Sequence, residues 1–219
     1  DGRAPVDLGA YGGAVRFEAG ADGVLDVEGD RRYADTVEVR TRRGGGAVFV
    51  NELSMQAYVE GLAEVPARWP MEALKAQAVA ARTYAWYQTE LGTFGDRGYD
   101  ICDTTACQAY RGHGVRNSNG TVTSYEHPNS TAAVDATDRQ VLTYDFGGGV
   151  RQLATTMYSS STGGHTTVGG AGHGYLTAHP DPYDAVSTNL RSTWNAQLPV
   201  SRLEARYGIH RVERVQILR

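Results

Sequence analysis

The chain has 219 residues, 41% of them apolar, and a formal net charge of −4. These values suit one large folded domain or two lobes and leave no basic footprint for nucleic acid. No run approaches the roughly 20 apolar residues of a membrane span, since the longest, Ala76–Ala85, is broken by Gln77, Arg82 and Thr83.

The start, Asp1-Gly2-Arg3, is too polar for a signal peptide, which suits a cytosolic chain or a mature one already trimmed. Residues 1–50 read as β structure. Short alternating runs at Ala14–Phe17, Val24–Val27, Thr36–Val39 and Ala47–Val50 are separated by Gly-, Asp- and Asn-containing turns. They predict a small meander or barrel-like element with no visible chemistry. Ser54 then suits an N-cap, and Met55, Tyr58, Val59 and Leu62 keep helical spacing. Pro66 and Pro70 end that helix, because proline lacks a donor and restricts the residue before it.

Pro70 opens the next helix, Glu72 favours its first turn, and Gly92 stops it after Leu91. Its alanines, at positions 73, 76, 78, 80, 81 and 85, give high helix propensity and allow close packing, so it is predicted to be central and buried. Beyond Gly92 the chain is polar and loop-rich. A helix is predicted over Asn129–Thr137, and strands over Gln140–Tyr144 and Gln152–Tyr158. A Ser/Thr/Gly/His-rich segment fills Ser159–Gly174, helical pieces fall within 187–207, and a strand is predicted at Val212–Leu218. No internal repeat is present. The class is α+β, a β-rich N-terminal part followed by a central Ala-rich helix with further strands and short helices.

Glu64 sits in the proline turn beside Val65, Pro66 and Trp69. A carboxyl held against apolar groups is poorly solvated, which raises its pKa and suits a general acid near neutral pH. A surface glutamate in a turn is the plainer account of the same residues. Lys75, the one lysine beside twenty arginines, and Arg82 are seven residues apart. They are predicted to share a helix face about 10 Å apart. Two cations there suggest contact with an anionic or hydroxyl-rich ligand; ordinary ion pairs are the alternative.

Cys102 and Cys107 have four residues between them, which suits a local disulfide, half of a zinc site or two free thiols. His113, His127, His165, His173 and His179 could complete a zinc site, but none shows helical His-x-x-x-His spacing. Tyr158, Ser159, Ser160, Gly163, Gly164 and His165 belong to a polar segment whose glycine amides and hydroxyls suit sugar recognition. A serine nucleophile with His165 as base lacks the Gly-x-Ser-x-Gly turn, and a flexible Ser/Gly loop is the competing account.

Together these segments resemble the stage II sporulation protein D family, which includes the amidase-enhancer proteins. The resemblance rests on Asn51–Leu53, Tyr58–Gly61, Glu64–Pro66 and the long ungapped run Trp69–Ala85. It continues in order through Tyr99–Tyr110, Ala132, Val134 and Thr137 before Gln140–Leu142, and Tyr158–Thr166, covering roughly residues 14–200. It implies one catalytic domain over 1–219, with lobes at 1–50 and 51–219, built around a glycan cleft.

The implied activity is lytic transglycosylation of peptidoglycan, acting on strands stripped of stem peptides. The implied location is the cell envelope or the outside of the cell. Glu64 takes the catalytic position, Lys75 and Arg82 the glycan-binding cations, and Tyr158, Ser159, Ser160, Gly163, Gly164 and His165 the cleft. The implied partners are glycan strands and a stem-peptide amidase. Val65 stands where the family usually has Met, a mild change. Ala106 stands where His often precedes the second cysteine, which weighs against zinc, so no cofactor is implied. Thr162 stands where a cysteine is frequent, which leaves Cys102 and Cys107 to each other and favours a disulfide. A hydrolytic muramidase using Asp100 or Asp103 as second carboxylate, and a non-catalytic wall-binding amidase activator, are the rival functions.

Overall fold

A computed structural model describes residues 13–21, 23–27, 31–41, 45–186, 189–191 and 195–216. Contacts divide the chain into two units, 1–158 and 159–219. The strands before Asn51 share the first unit with the helices, so residue 50 is not where the contacts divide.

The alternating N-terminal runs pair as antiparallel strands, in two sheets rather than one meander. β1 (Val15–Glu18), β4 (Thr36–Thr41) and β5 (Ala47–Glu52) form one, in the order β1-β4-β5. β2 (Val24–Val27), β3 (Arg31–Ala34), β6 (Gly114–Arg116) and β7 (Val122–Ser124) form the other, in that order. Sequence periodicity missed β3, β6 and β7. Arg31-Arg32-Tyr33-Ala34 has no apolar alternation; it is held as a strand by neighbours on both sides. Asp26 lies opposite Arg32 in the register and takes charged bonds from Arg32 (2.9 Å) and Arg116 (2.7 Å). Asp35 turns the chain between β3 and β4 at φ 61°. The Asn51 amide straddles that corner, donating to the Ala34 and Thr36 carbonyls at 2.8 Å each.

Helix α1 (Met55–Glu60) is capped as expected, with Ser54 Oγ accepting from the Ala57 amide. Helix α2 (Met71–Leu91) starts one residue after Pro70 and ends at Gly92, whose φ of 60° is the left-handed stop that glycine favours. Helix α3 (Pro128–Asp135) packs against it. Ala78, Ala81 and Ala85 of α2 and Ala133 of α3 are all buried, and their small side chains let the helices approach closely. Tyr58, Val59, Tyr110 and Val134 complete the core, with Tyr58 and Tyr110 stacked 5.1 Å apart.

β8 (Thr143–Asp145) and β9 (Arg151–Leu153) form a hairpin. The strand predicted to run through Tyr158 stops at Leu153, because the chain then docks on α2 instead of on a partner strand. There the Thr156 hydroxyl donates to the Ala80 carbonyl at 2.7 Å. Cys102 and Cys107 form a disulfide.

In the second unit, a bridge joins His165 to Pro180, and helix α4 (Val200–Tyr207) follows. Of the helical pieces predicted over 187–207, this is the one present among the described residues; 187–188 and 192–194 lie outside them. Residues 212–216 form no strand, and 217–218 lie outside the described residues. The Val212 amide instead donates to Glu204 of α4 at 3.0 Å.

Candidate active site

Glu64 is placed by backbone on both sides. Helix α1 ends at Gly61, where a Cβ would lie 2.6 Å from the Tyr110 ring, so only glycine lets the chain pass that close. Leu62 then bridges to Tyr110, and the Ala63 amide donates to the Ala109 carbonyl at 3.0 Å. The Ala109 amide returns a bond to Glu64 Oε1 at 2.5 Å. Glu64 Oε2 makes no hydrogen bond among the described residues, which leaves one oxygen fixed and one available.

Beside Glu64 is a recess of about 30 Å³, walled by Val59, Leu62, Val65 and Leu74, with Gln77 and Ser130 as further polar groups. That volume suits a water or two, not a sugar ring. Glu64 itself is partly exposed, so a ring would meet it from the solvent side. Val65 lies in the recess as expected. Trp69 does not line it and is 45% exposed, so the indole is no wall for the carboxyl.

Below Glu64 runs a polar chain that sequence reasoning missed. Gln108 is fully buried. Its Oε1 accepts from the Tyr58 hydroxyl at 3.0 Å, and its Nε2 donates to the Ala81 carbonyl (3.2 Å) and to Tyr158 Oη (2.9 Å). Burial raises the pKa of Tyr58, and the charges of Tyr158 and Glu64 add to the effect. Burial likewise pushes Tyr158 up to about 12, opposed by the Gln108 hydrogen bond and reinforced by Glu64. A glutamine directly after the second cysteine, two residues before Tyr110, was the one available sign.

The two helix cations have separate fates. Arg82 is 2% exposed. Its guanidinium donates to the carbonyls of Thr137 (2.8 Å), Gln140 (3.2 Å) and Val134 (3.2 Å), at and beyond the end of α3. The Val134 and Thr137 carbonyls also accept from the Thr137 and Gln140 amides, and the guanidinium adds a further donor where the helix runs out, so the structure gives Arg82 a capping task rather than an exposed one. Lys75 is partly exposed and pairs with Glu72 at 2.8 Å. It lines a separate groove with Ala76, Val79, Ala136, Thr137, Gln140 and Leu142. At about 100° per residue, Lys75 and Val79 point to the side of α2 away from Leu74, Gln77, Ala78 and Ala81, which line the Glu64 recess.

Of the predicted cleft residues, Tyr158 closes the first unit, and Ser159, Ser160, Gly163, Gly164 and His165 belong to the second. Ser159, Ser160, Gly163 and His165 are exposed. Gly163 and Gly164, at φ 69° and 91°, turn the chain around Asp184. The Asp184 carboxylate accepts from Ser161 Oγ and the Thr162 amide, each at 2.9 Å. Burial acts to raise the Asp184 pKa. Bonds from the Thr162 amide, the Ser161 hydroxyl and the Gly163 and Gly164 amides outweigh it and hold the carboxyl below its ordinary value. The loop's amides therefore already hold an internal anion. His165 Nδ1 lies 2.6 Å from the Thr166 carbonyl.

Neither alternative carboxylate lines the Glu64 recess: Asp100 is exposed, and Asp103 is exposed beside Arg31, 4.0 Å away. The cysteine sulfurs, bonded to each other, offer no thiolate to zinc. Among the described residues no group of three or more His, Cys, Asp or Glu could hold a metal.

A carboxyl with one anchored oxygen, ahead of an Ala-rich helix in an α+β unit, defines a candidate acid–base site. Residues 43–144 match the family model SpoIID, Stage II sporulation protein, which supports the resemblance to that family. It is 34% identical over 176 residues to an uncharacterized protein of Brachyspira hyodysenteriae, covering 78% of this chain and 44% of that protein. It is 40% identical over 103 residues to the amidase enhancer of Bacillus subtilis, covering 47% of this chain and 11% of that protein. The chain thus spans less than half the length of the first relative and about a tenth of the second. No solved structure gives a significant match.

Proposed function

We propose that this chain is a cell-envelope lytic transglycosylase, cutting the glycan backbone of peptidoglycan to leave 1,6-anhydro-muramic ends. The observation that carries the reading is Glu64: held through Oε1, with Oε2 available, it is the one carboxylate among the described residues lining its recess. Retaining and inverting hydrolases use a pair of carboxylates about 5–9.5 Å apart. A transglycosylase needs one. Glu64 in its protonated form gives its proton to the glycosidic oxygen, and the resulting carboxylate takes the proton of the muramic 6-hydroxyl, which attacks C1 of its own ring. That nucleophile is intramolecular, so its effective concentration is high without a second acid.

Strands stripped of stem peptides are the proposed substrate, and the amidase that strips them the proposed partner. The name of the Bacillus subtilis relative, amidase enhancer, favours a second reading, a non-catalytic activator bound to the wall. The test is digestion of intact and peptide-stripped peptidoglycan, with products identified by mass. Anhydro ends that disappear with Glu64→Gln support the transglycosylase. Hydrated reducing ends point to a muramidase, and binding without any cutting points to the activator.

A further inference from the structure

The orientation of one buried amide determines where two tyrosine protons go. Oxygen and nitrogen of a glutamine amide are assigned from their partners. Here the partner is decisive, because the Ala81 carbonyl can only accept, so the Gln108 nitrogen must face it. The amide oxygen is then the atom beside Tyr58, whose hydroxyl proton is committed to it at 3.0 Å. The second Gln108 N–H points at Tyr158 Oη at 2.9 Å, so that oxygen accepts. Tyr158 Oη therefore accepts from a nitrogen that cannot take its proton, and that proton is directed away from Gln108. Tyr158 is 37% exposed and within electrostatic reach of Glu64.

We propose that Gln108 is a positioning residue that fixes Tyr158 as a hydrogen-bond donor to a glycan oxygen reacting beside Glu64. The proposal rests on the acid–base reading of Glu64 and deepens it. Tyr158 keeps its proton throughout. It offers a preset dipole to an oxygen that gains negative charge as the bond breaks, which is where a fixed donor stabilises most. Without Gln108 the phenol proton is free to turn inward, and the donor is lost for part of the time.

The experiment is a double-mutant cycle on peptide-stripped glycan with Gln108→Met, Tyr158→Phe and the pair, reading kcat and KM separately. Each single change is expected to lower kcat by about ten- to a hundredfold. KM should stay within about threefold, and the pair should be no slower than Tyr158→Phe alone. A further drop from Gln108→Met in the Tyr158→Phe background would overturn the proposal, since general loosening of the core acts in both backgrounds. Should Gln108→Met fail to fold, the side-chain amide resonances of Gln108 are compared between wild type and Tyr158→Phe. They are expected to shift, with one proton exchanging faster, and unshifted resonances remove the positioning role. A wild type that cuts no glycan removes the underlying reading instead, and the donor's target with it; the two failures are told apart by that control.

Discussion

Two turns of this chain carry groups suited to chemistry and differ in what they leave free. The turn at Leu62–Pro66 is held by the backbone of Ala109 and Tyr110, and one oxygen of Glu64 has no partner among the described residues. The loop at Ser159–His165 is held by the Asp184 carboxylate and by its own Ser161 and Thr162 hydroxyls, which accept from the Gly163 and Gly164 amides. A turn anchored from outside can point a reactive group at solvent. A turn anchored by its own side chains uses those side chains for shape. Functional groups in the first kind are therefore stronger candidates for chemistry than an equal density of hydroxyls in the second.

The sharpest way to break this contrast is Glu64→Gln. The amide keeps the size of the carboxyl and can still accept from Ala109, so thermal unfolding should stay near wild type. Loss of the acid and base should lower glycan cutting by about a thousandfold or more. Cutting that survives within tenfold of wild type would take Glu64 out of the reaction.

Arg82→Leu asks whether an inward-turned cation belongs to the fold. Three carbonyls would each lose the hydrogen bond from the guanidinium, at about 1 kcal/mol each, so a loss of up to about 3 kcal/mol is expected in urea unfolding. Arg82→Lys should recover only part, because one ammonium cannot span the positions that a guanidinium fork reaches. Unchanged stability with a raised KM would return Arg82 to the glycan.

Asp184→Asn tests the self-held loop. Hydrogen bonds hold the Asp184 carboxyl below its ordinary value of 3.8. Its contribution is therefore present above the unfolded-state value and is lost as pH falls through the lower folded one. Amide exchange at Thr162, Gly163 and Gly164 should quicken several-fold in the variant at neutral pH, and in wild type only under acid. Equal exchange in both at neutral pH would show that the turn holds without the carboxylate.

What was legible in the chain was local punctuation. Pro66, Pro70 and Gly92 placed the Glu64 turn and bounded α2 to within one residue, because each acts through its own φ or missing donor. Val24–Val27 was found as a strand through its own apolar residues. Arg31–Ala34 was not, since its strand state comes from β2 and β6 rather than from its side chains. The direction of Arg82 was hidden for a related reason. Spacing shows which residues share a helix face, but only the position of α3 decides which face is covered. Gln108 was the least visible, because its role needs α1, α2 and Tyr158 to meet at one amide.

Lys75→Ala is the smallest expected effect and separates the two sides of α2. The Lys75–Glu72 pair is three residues apart on the helix, and the Glu72 side chain is 84% exposed. Solvent screening limits such pairs to less than about 1 kcal/mol, so unfolding should barely move. Lys75 lines the groove shared with Val79 and Leu142, whereas the Glu64 recess is lined by Leu74, Gln77, Ala78 and Ala81. Turnover on peptide-stripped glycan should therefore remain within about threefold of wild type, a change below about 1 kcal/mol. A rise in KM of tenfold or more with kcat preserved would bring the groove into the glycan path. The strand would then pass across both sides of α2, with Lys75 gripping it at a distance from the bond that Glu64 cuts.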